Sequence, residues 1–387
     1  MNRYIKINSI KQFNFQINRV LTYGEAACDL AVIKRNLEHV TNIEEWYEAF
    51  INVATTSEDY LHKAYAYRMA EFFLEYDDPR KQEVSKECLD YFQKGFQKNG
   101  IVFEQYKIPF ETGTMKAFRF PCENPKDIMV VCGGYDSFIE EFVLQVYEFN
   151  RKGYEVILFE GPGQGECIKQ QLVFRHDFDK ATSAVLDFFS ISSCVFLGIS
   201  WGGYFAIRSA AFDKRIKRTI MYDAFYDGFE VMTNPLPVLL QHKIRKLIDE
   251  NKIEELETLC NRICEKSVMA KWMFHQGKYI TGSGTYYEMY KKLGMHNVQS
   301  FHEKVTCDVL ILGGEKDHYI PLKHYKKCIG LFPNAKSVKA RLFTKKEGGE
   351  QHCQIGNHML AINEIVKWLD CLLNLTGNEP YVTANRL

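Results

Sequence analysis

The sequence predicts an α/β fold, a mostly parallel sheet with helices on both faces and two helical additions. Three observations support this prediction. Short apolar segments alternate with helical stretches in two parts of the chain, as in parallel α/β proteins. The first hundred residues show helical spacing without strand patterns, and the strand pattern disappears again later in the chain. We therefore predict an N-terminal helical cap (1–100), a first core part (101–228), a helical lid insertion (229–301), a second core part (302–375) and a polar tail (376–387).

The chain has 387 residues with Lys+Arg 49 and Asp+Glu 49, and 46% of its residues are hydrophobic. This length exceeds one ordinary core and leaves room for the helical additions. A net charge of zero argues against electrostatic binding of nucleic acid. No apolar run reaches the roughly 18 residues of a membrane helix, and the start lacks a signal-peptide core. We therefore expect no membrane partner and a cytoplasmic location.

The helical cap begins its clearest pattern at a candidate capping box. In this box Thr41 and Glu44 satisfy free amides at the start of a helix. Apolar residues then recur at helical spacing, namely Trp46, Phe50 and Val53. Two further helical patterns follow before the first strand pattern begins.

The core is predicted from short apolar segments that are separated by helical ones. The first two strands form an antiparallel pair, and the others are buried strands of a parallel sheet. The predicted strands cover 102–108, 114–120, 127–132, 154–159, 194–197, 218–222, 308–312 and 337–343. Helical patterns of the core and lid cover 180–189, 204–211, 239–248, 253–264 and 360–373.

The pentapeptide Gly198-Ile199-Ser200-Trp201-Gly202 has the pattern G-x-S-x-G. In this pattern the serine lies on a sharp turn between a strand and a helix, and the glycines leave room for the strained backbone. An apolar strand precedes the motif and an alanine-rich helix follows it, which is the context that the motif requires. Ser200 is therefore the predicted nucleophile.

A serine nucleophile needs a histidine base and an acid that orients the base. In this type of sheet the chain order is serine, acid, histidine. Asp317 follows a predicted strand and is the first choice for the acid, with Asp223 and Asp227 beyond the preceding strand as rivals. His352, in the loop after the last strand, is the predicted base, and His358 is the second candidate.

The oxyanion that forms during acyl transfer needs backbone N–H donors. The predicted donors are the amide of Trp201 and an amide from the loop after the third strand, where Tyr135 is preferred. No cofactor and no metal are expected. The segment 161–165 lacks the spacing of a phosphate loop, and Cys260 and Cys264 lie one helical turn apart without a second pair at zinc spacing.

Together these motifs resemble the α/β-hydrolase superfamily over residues 101–375. More narrowly, the chain resembles the branch that contains 2,6-dihydroxypseudooxynicotine hydrolase, fungal pigment hydrolases that shorten polyketides, and bacterial acylaminoacyl-peptidase-like proteins. The resemblance implies an N-terminal cap, a homodimer, and an additional carboxylate in the site, for which Asp223, Asp227 and Glu230 are the candidates. The segments that carry the resemblance are 67–73, 133–137, 140–141, 200–203, Asp317 and 349–354.

We expect a serine α/β-hydrolase that cleaves an ester, an amide or a ketone C–C bond of a small acyl or carbonyl substrate through an acyl-enzyme. The helical additions favour a small substrate over a folded protein, because they should cover the site. Two alternatives stay open. One is a biosynthetic acyltransferase or thioesterase with the same triad, and the other is a hydrolase-like binding module without catalysis.

Overall fold

The computed structural model describes residues 3–375, so the predicted polar tail over 376–387 lies outside the described residues. Its centre is one sheet of eight strands. The strands are β1 (Glu104–Phe110), β2 (Gly113–Phe120), β3 (Ile128–Cys132), β4 (Glu155–Phe159), β5 (Cys194–Ile199), β6 (Ile216–Tyr222), β7 (Asp308–Gly314) and β8 (Ser337–Phe343).

The strands lie in the order β1-β2-β4-β3-β5-β6-β7-β8. β2 pairs antiparallel with both β1 and β4, and the strands from β3 to β8 pair in parallel. The predicted α/β class with a mostly parallel sheet is therefore confirmed. Each predicted strand is present, and its ends differ from the prediction by at most about two residues, the usual uncertainty of strand ends.

Helices surround the sheet. They are α1 (Lys11–Thr22), α2 (Leu30–Leu37), α3 (Ile43–Thr56), α4 (Tyr60–Glu71), α5 (Pro79–Lys98), α6 (Ile139–Arg151), α7 (Gly165–Lys169), α8 (Asp179–Phe188), α9 (Gly202–Phe212), α10 (Gly228–Thr233), α11 (Val238–Asp249), α12 (Ile253–Lys266), α13 (Val268–Ile280), α14 (Tyr286–Gly294), α15 (Leu322–Ile329) and α16 (His358–Leu375). Helices α1–α5 precede the sheet, and α10–α14 lie between β6 and β7. The division into cap, core and lid domains stays a prediction.

The start of α3 differs from the predicted capping box by one residue. The N-cap is Asn42, whose side chain accepts a hydrogen bond from the Glu45 amide at 2.9 Å. The Glu45 carboxylate in turn accepts from the amide of Thr41 at 2.7 Å. Glu44, the predicted partner, instead pairs with Arg80 on α5. Asparagine is at least as good an N-cap as threonine, so the shift costs the helix nothing.

The two faces of the sheet carry different helices. In β3, Met129 and Val131 pack with the buried residues of α1–α5, α6 and α16, whereas Val130 and Cys132 pack with α8, α9 and the helices between β6 and β7. This alternation follows from the two-residue period of a strand. The N-terminal helices therefore cover one face of the sheet as part of its core.

No helix within residues 3–375 combines the length and the apolar composition needed to cross a bilayer.

Candidate active site

The topology of the sheet brings the predicted site residues to one edge. β3, β5, β6, β7 and β8 are consecutive neighbours and run in parallel. Their carboxyl ends therefore lie side by side, which is where open α/β sheets bind ligands. The loops and turns that follow these strands carry Gly134, Ser200, Asp223, Asp317 and His352.

Ser200 lies on a strained turn between β5 and α9. Its φ angle is 62°, in the left-handed region that residues with a Cβ atom rarely adopt. The turn is tight because two glycines allow close approach: a Cβ atom on Gly198 would collide with the carbonyl of Gly202, and one on Gly203 would collide with the carbonyl of Asp223. The predicted strand–turn–helix context of the G-x-S-x-G motif is thus present.

Ser200, His352 and Asp317 form a continuous chain of hydrogen bonds. The Ser200 Oγ lies 2.8 Å from His352 Nε2, and His352 Nδ1 lies 2.7 Å from Asp317 Oδ2. The other oxygen of Asp317 accepts the amide N–H groups of Tyr319 and Ile320 at 2.8 and 2.9 Å. These two amides fix the carboxylate, which in turn fixes the orientation of the imidazole.

A second carboxylate, Asp223, reaches the same ring nitrogen. Its Oδ2 lies 3.2 Å from His352 Nδ1, and it is held by the amide of Cys353 at 2.7 Å and by the side chain of Gln354 at 3.0 Å. The sequence left Asp223 and Asp317 as rivals for the acid. Both lie at the imidazole, and Asp317 makes the shorter contact.

Burial and charge set the protonation of these three groups. Burial raises the pKa of Asp317 to about 6, against the attraction of His352. Burial opposes ionisation of Asp223 as well, but the hydrogen bond with His352, the charge of His352 and the Cys353 amide together outweigh it, and the pKa of Asp223 lies below its ordinary value. Burial also lowers the pKa of His352, yet the charge of Asp317 and the hydrogen bonds with Asp223 and Asp317 together prevail, and that pKa lies well above its ordinary value. The site therefore stabilises the imidazolium, the form that results when a histidine takes a proton from serine.

The loop after β3 lies directly over the Ser200 turn. A Cβ atom on Gly134 would come within 2.7 Å of the Trp201 amide nitrogen and 3.1 Å of the Ser200 Cβ. Neither the Trp201 amide nor the Tyr135 amide donates a hydrogen bond within residues 3–375. The Tyr135 ring stacks on the Trp201 ring at 5.4 Å, and its hydroxyl donates to the carbonyl of Met273 on α13. Both predicted oxyanion donors thus lack an acceptor among the described residues, and the loop that carries Tyr135 contacts the Ser200 turn at Gly134.

A cavity that is partly open to solvent adjoins Ser200 and His352. Aliphatic side chains from β5, α10, α13 and the loops near His352 form part of its wall. Aromatic side chains supply much of the remainder: Phe15, Tyr23, Tyr135, Phe142, Trp201, Phe225, Trp272 and Tyr319. Aromatic residues make up 14% of the sequence, and part of them line this cavity.

Helix α1 forms one side of the cavity, which the sequence did not reveal. Eleven of its twelve residues are buried, and Phe15 and Arg19 both line the cavity. Arg19 pairs with Asp136, next to the predicted oxyanion donor, at 2.5 Å, and with Glu141 on α6 at 2.5 and 2.9 Å. The available signal was that Arg19 follows four polar residues, Gln12, Asn14, Gln16 and Asn18, which alternate with apolar ones.

The alternative base, His358, also lines the cavity but does not contact Ser200. Burial lowers its pKa to about 4, so it is neutral at physiological pH. Its Nδ1 has no hydrogen-bond partner among the described residues. The imidazole that meets the serine is that of His352.

The two other candidates for an additional carboxylate are occupied elsewhere. Asp227 caps α10 by accepting the Glu230 amide at 2.8 Å, and it also accepts from Asn297. The Glu230 carboxylate lies 2.8 Å from His324 Nε2 and 3.0 Å from Lys323. Of the three candidates, only Asp223 contacts the imidazole of His352, whose other nitrogen contacts Ser200.

The described residues contain one group of three side chains close enough to share a metal ion, namely Asp223, His352 and Cys353. This group does not suit a metal, since His352 Nδ1 already meets two carboxylates and burial raises the pKa of the Cys353 thiol to about 11. The Cys264 thiol lies 3.7 Å from the Tyr286 hydroxyl. We therefore interpret the Cys353 and Cys264 thiols as hydrogen-bonding groups and not as metal ligands.

The family model described as "Serine aminopeptidase, S33" matches residues 123–344 of the chain. This span includes the Ser200 turn, Asp223 and Asp317, and ends shortly before His352. It supports the α/β-hydrolase resemblance that the motifs indicated.

Curated relatives and solved structures agree with this match. The chain is 26% identical over 351 residues to Hydrolase acrC of Aspergillus aculeatus, covering 80% of each chain. It is 25% identical over 347 residues to 20-hydroxy-prefusarin hydrolase FUS2 of Gibberella moniliformis, again covering 80% of each. The crystal structure of 2,6-dihydroxy-pseudo-oxynicotine hydrolase superimposes with a TM-score of 0.67 at 19% identity, covering 92% of this chain and 95% of that one. AbyA5 superimposes with a TM-score of 0.66 at 16% identity, covering 96% of both. The predicted α/β-hydrolase fold and its branch are confirmed.

Proposed function

The chain belongs to the serine aminopeptidase S33 family, and we propose that it is a serine hydrolase whose nucleophile is Ser200. The observation that carries the proposal is the geometry around this residue. Its hydroxyl lies on a strained turn at 2.8 Å from His352 Nε2, and the other nitrogen of that imidazole lies 2.7 Å from Asp317. This is the hydrogen-bond order that activates a serine for acyl transfer.

In the proposed reaction, the Ser200 oxygen attacks a substrate carbonyl while His352 Nε2 takes the hydroxyl proton. Asp317 holds the Nδ1 proton and favours the imidazolium. His352 then gives the proton to the leaving group, and an acyl-enzyme remains on Ser200. A water molecule, deprotonated by the same imidazole, attacks the acyl carbon and releases the carboxylic acid.

The backbone amides of Trp201 and Tyr135 are the proposed oxyanion donors. Neither has an acceptor among residues 3–375, and they belong to loops that touch at Gly134 and Ser200. Donors that are fixed before reaction need no reorganisation when negative charge develops on the carbonyl oxygen. A donor of this kind is worth about 10²–10³ in kcat.

The cavity favours a small, neutral and largely apolar substrate. Among the described residues that line it, Asp136 is the one carboxylate, and Arg19 pairs with it at 2.5 Å. An aminopeptidase must bind the ammonium group of its substrate, and a carboxylate that already neutralises a guanidinium is a poor anchor for it. We therefore propose an ester or ketone substrate rather than a peptide with a free amino terminus.

Labelling with a fluorophosphonate probe tests the proposal. The wild-type protein should be labelled, and Ser200→Ala should not, because the probe reacts with activated serines. Ser183 pairs with Asp213 away from the site, so Ser183→Ala is the matched control and should be labelled like wild type. A folded wild-type protein that resists the probe contradicts the proposal.

A substrate panel separates the reaction types. p-Nitrophenyl esters, aminoacyl anilides and β-diketones should be compared at equal concentration with the purified protein. We expect turnover of esters or diketones and at least about tenfold lower kcat/KM for aminoacyl anilides. Faster turnover of the anilides would contradict the assignment of a neutral substrate.

A further inference from the structure

One face of helix α1 is directed at the cavity. The residues of α1 and its C-cap that line it are Phe15, Gln16, Arg19, Thr22 and Tyr23, and their spacing is that of one helical face. The Phe15 ring lies 6.4 Å from the ring of His352. Side chains on this face therefore meet whatever molecule occupies the space beside the Ser200 turn.

Two polar side chains of this face are occupied within the protein. Arg19 pairs with Asp136 and Glu141. The Thr22 hydroxyl donates to the Asn18 carbonyl at 2.7 Å and accepts the Gly356 amide N–H at 2.7 Å. These groups hold the helix in place and leave little hydrogen-bonding capacity for a ligand.

Gln16 is different. Its side chain is 1% exposed, and its carbonyl oxygen Oε1 has no hydrogen-bond partner within residues 3–375. A polar group that is buried without a partner is costly, and native proteins keep few of them. Because no described residue satisfies Oε1 and Gln16 lines the cavity, a ligand in the cavity can supply the missing donor.

A second polar atom of the wall is also without a partner. The indole N–H of Trp201, a residue that is 2% exposed, donates no hydrogen bond within the described part of the chain. Trp201 adjoins the nucleophile, and Gln16 lies on the helix that forms another side of the cavity. His358 Nδ1, on the same wall, is a third polar atom without a partner among the described residues. A largely apolar cavity with a few free polar atoms fits a ligand that has a few polar groups at fixed positions.

We propose that Gln16 is a specificity residue, whose side-chain amide forms a hydrogen bond with a neutral hydroxyl group on the apolar body of the substrate. A hydroxyl suits the site because it donates to Oε1 and carries no charge, and the nearby Arg19 is already neutralised. The inference rests on the proposed function in one respect, that the substrate occupies the cavity beside Ser200. It adds the group that distinguishes this substrate from one of the same shape.

The test measures binding rather than turnover, so that it does not depend on catalysis. Isothermal titration of the Ser200→Ala protein should compare methyl phenylacetate with its 2-, 3- and 4-hydroxy isomers. At least one hydroxy isomer should bind about tenfold more tightly than the parent ester, the effect of one buried hydrogen bond. Adding Gln16→Met, which keeps the length and removes the amide, should abolish this difference and leave the parent ester unchanged.

A matched control lies one turn earlier on the same helix. Gln12 is also buried, but its amide is hydrogen-bonded to the Tyr319 hydroxyl at 2.8 Å. Gln12→Met in the Ser200→Ala protein should therefore lower stability and preserve the preference for the hydroxy ester. Equal loss of the preference in both variants would assign the effect to helix packing and overturn the inference.

Other outcomes also decide the question. The Ser200→Ala protein could bind none of the four esters, or bind all four with equal affinity. In either case Gln16 does not recognise a hydroxyl group and the inference is wrong. These results are distinguishable from failure of the proposed function. If the wild-type protein resists the fluorophosphonate probe but the Gln16-dependent preference is observed, the proposed hydrolase function is wrong and the proposed binding site is supported.

Discussion

The two carboxylates at His352 Nδ1 predict unequal effects of replacing each of them, and a larger loss when both are replaced. Asp317→Asn should lower kcat/KM by about 10²–10³, and Asp223→Asn by about tenfold. In a triad with one acid, the same kind of replacement costs about 10⁴, because asparagine forces the wrong tautomer of the histidine. Here Asp223 still accepts the Nδ1 proton at 3.2 Å when Asp317 is lost, so the tautomer survives in part. The double variant should lose the full amount of about 10⁴.

The pH dependence of kcat/KM gives a second measurable effect, a shift in the pKa of His352. A hydrogen bond to a charged group contributes about 1.5–3 kcal/mol, which equals about one to two pKa units at 1.36 kcal/mol per unit. Because the Asp223 contact is the longer of the two, we take the lower end. Both carboxylates raise the pKa of His352 by stabilising the imidazolium. Removing the Asp223 charge should therefore lower that pKa and move the acid limb of kcat/KM about one unit to lower pH.

The assay is the pH profile of kcat/KM for the best ester of the panel, between pH 4 and 9. Asp223 also holds Cys353 and Gln354, so Asp223→Asn disturbs this loop as well as the charge. Gln354→Leu removes one of these loop contacts without changing charge, and it is the matched control. It should lower kcat/KM without moving the acid limb.

The reasoning is refuted if Asp317→Asn alone lowers kcat/KM as much as the double variant does. Asp223 would then contribute nothing to the orientation of His352. An acid limb that stays in place in Asp223→Asn would refute it independently, and would leave Asp223 with a role in loop packing alone.

Three further predictions concern other parts of the molecule. Gly134→Ala should lower kcat about 10²-fold with little change in KM, because the added methyl displaces the loop of an oxyanion donor; unchanged kcat in a steady-state assay would remove the loop from the reaction. Arg19→Met should lower the free energy of unfolding by about 3 kcal/mol in urea titration, since it strips a partner from the fully buried Glu141, and a loss below about 1 kcal/mol would contradict this estimate. Burial lowers the pKa of His296 to about 3 and that of His358 to about 4. Unfolding thus takes up protons below the ordinary pKa of about 6.5, so stability is full above this pH and falls toward pH 4 by about 1.4 kcal/mol per unit for each histidine. Equal urea midpoints at pH 7 and pH 5 would contradict this predicted loss of stability.

The sequence predicted the sheet and the residues at its carboxyl edge because both have local signals. A short apolar run bounded by glycine identifies a strand, and the G-x-S-x-G pentapeptide identifies the turn that carries Ser200. The order of the strands then restricts where Asp317 and His352 can lie. The choice between Asp317 and Asp223 had no local signal, because each follows a strand that ends beside the same imidazole.

The contribution of α1 could not be predicted from local patterns. Arg19 meets Asp136 and Glu141 across 117 and 122 positions of sequence. Helical spacing predicted that the first hundred residues pack on something, but it does not say which side of the sheet edge a helix reaches. The helix α6 between β3 and β4 was also missed, although its buried residues Ile139, Phe142, Val143, Val146 and Phe149 recur at helical spacing.

The position of α1 also has a consequence for how the protein is made. The helix is near the beginning of the chain, yet the Thr22 hydroxyl that anchors its end accepts from Gly356, 334 positions later. Contacts of such sequence separation require closure of a very long loop, and they form late and slowly. A ribosome that synthesises this protein therefore releases nearly the whole chain before Gly356 can reach the end of the first helix. We expect enzymatic activity to appear only after that step, well after the sheet itself has formed.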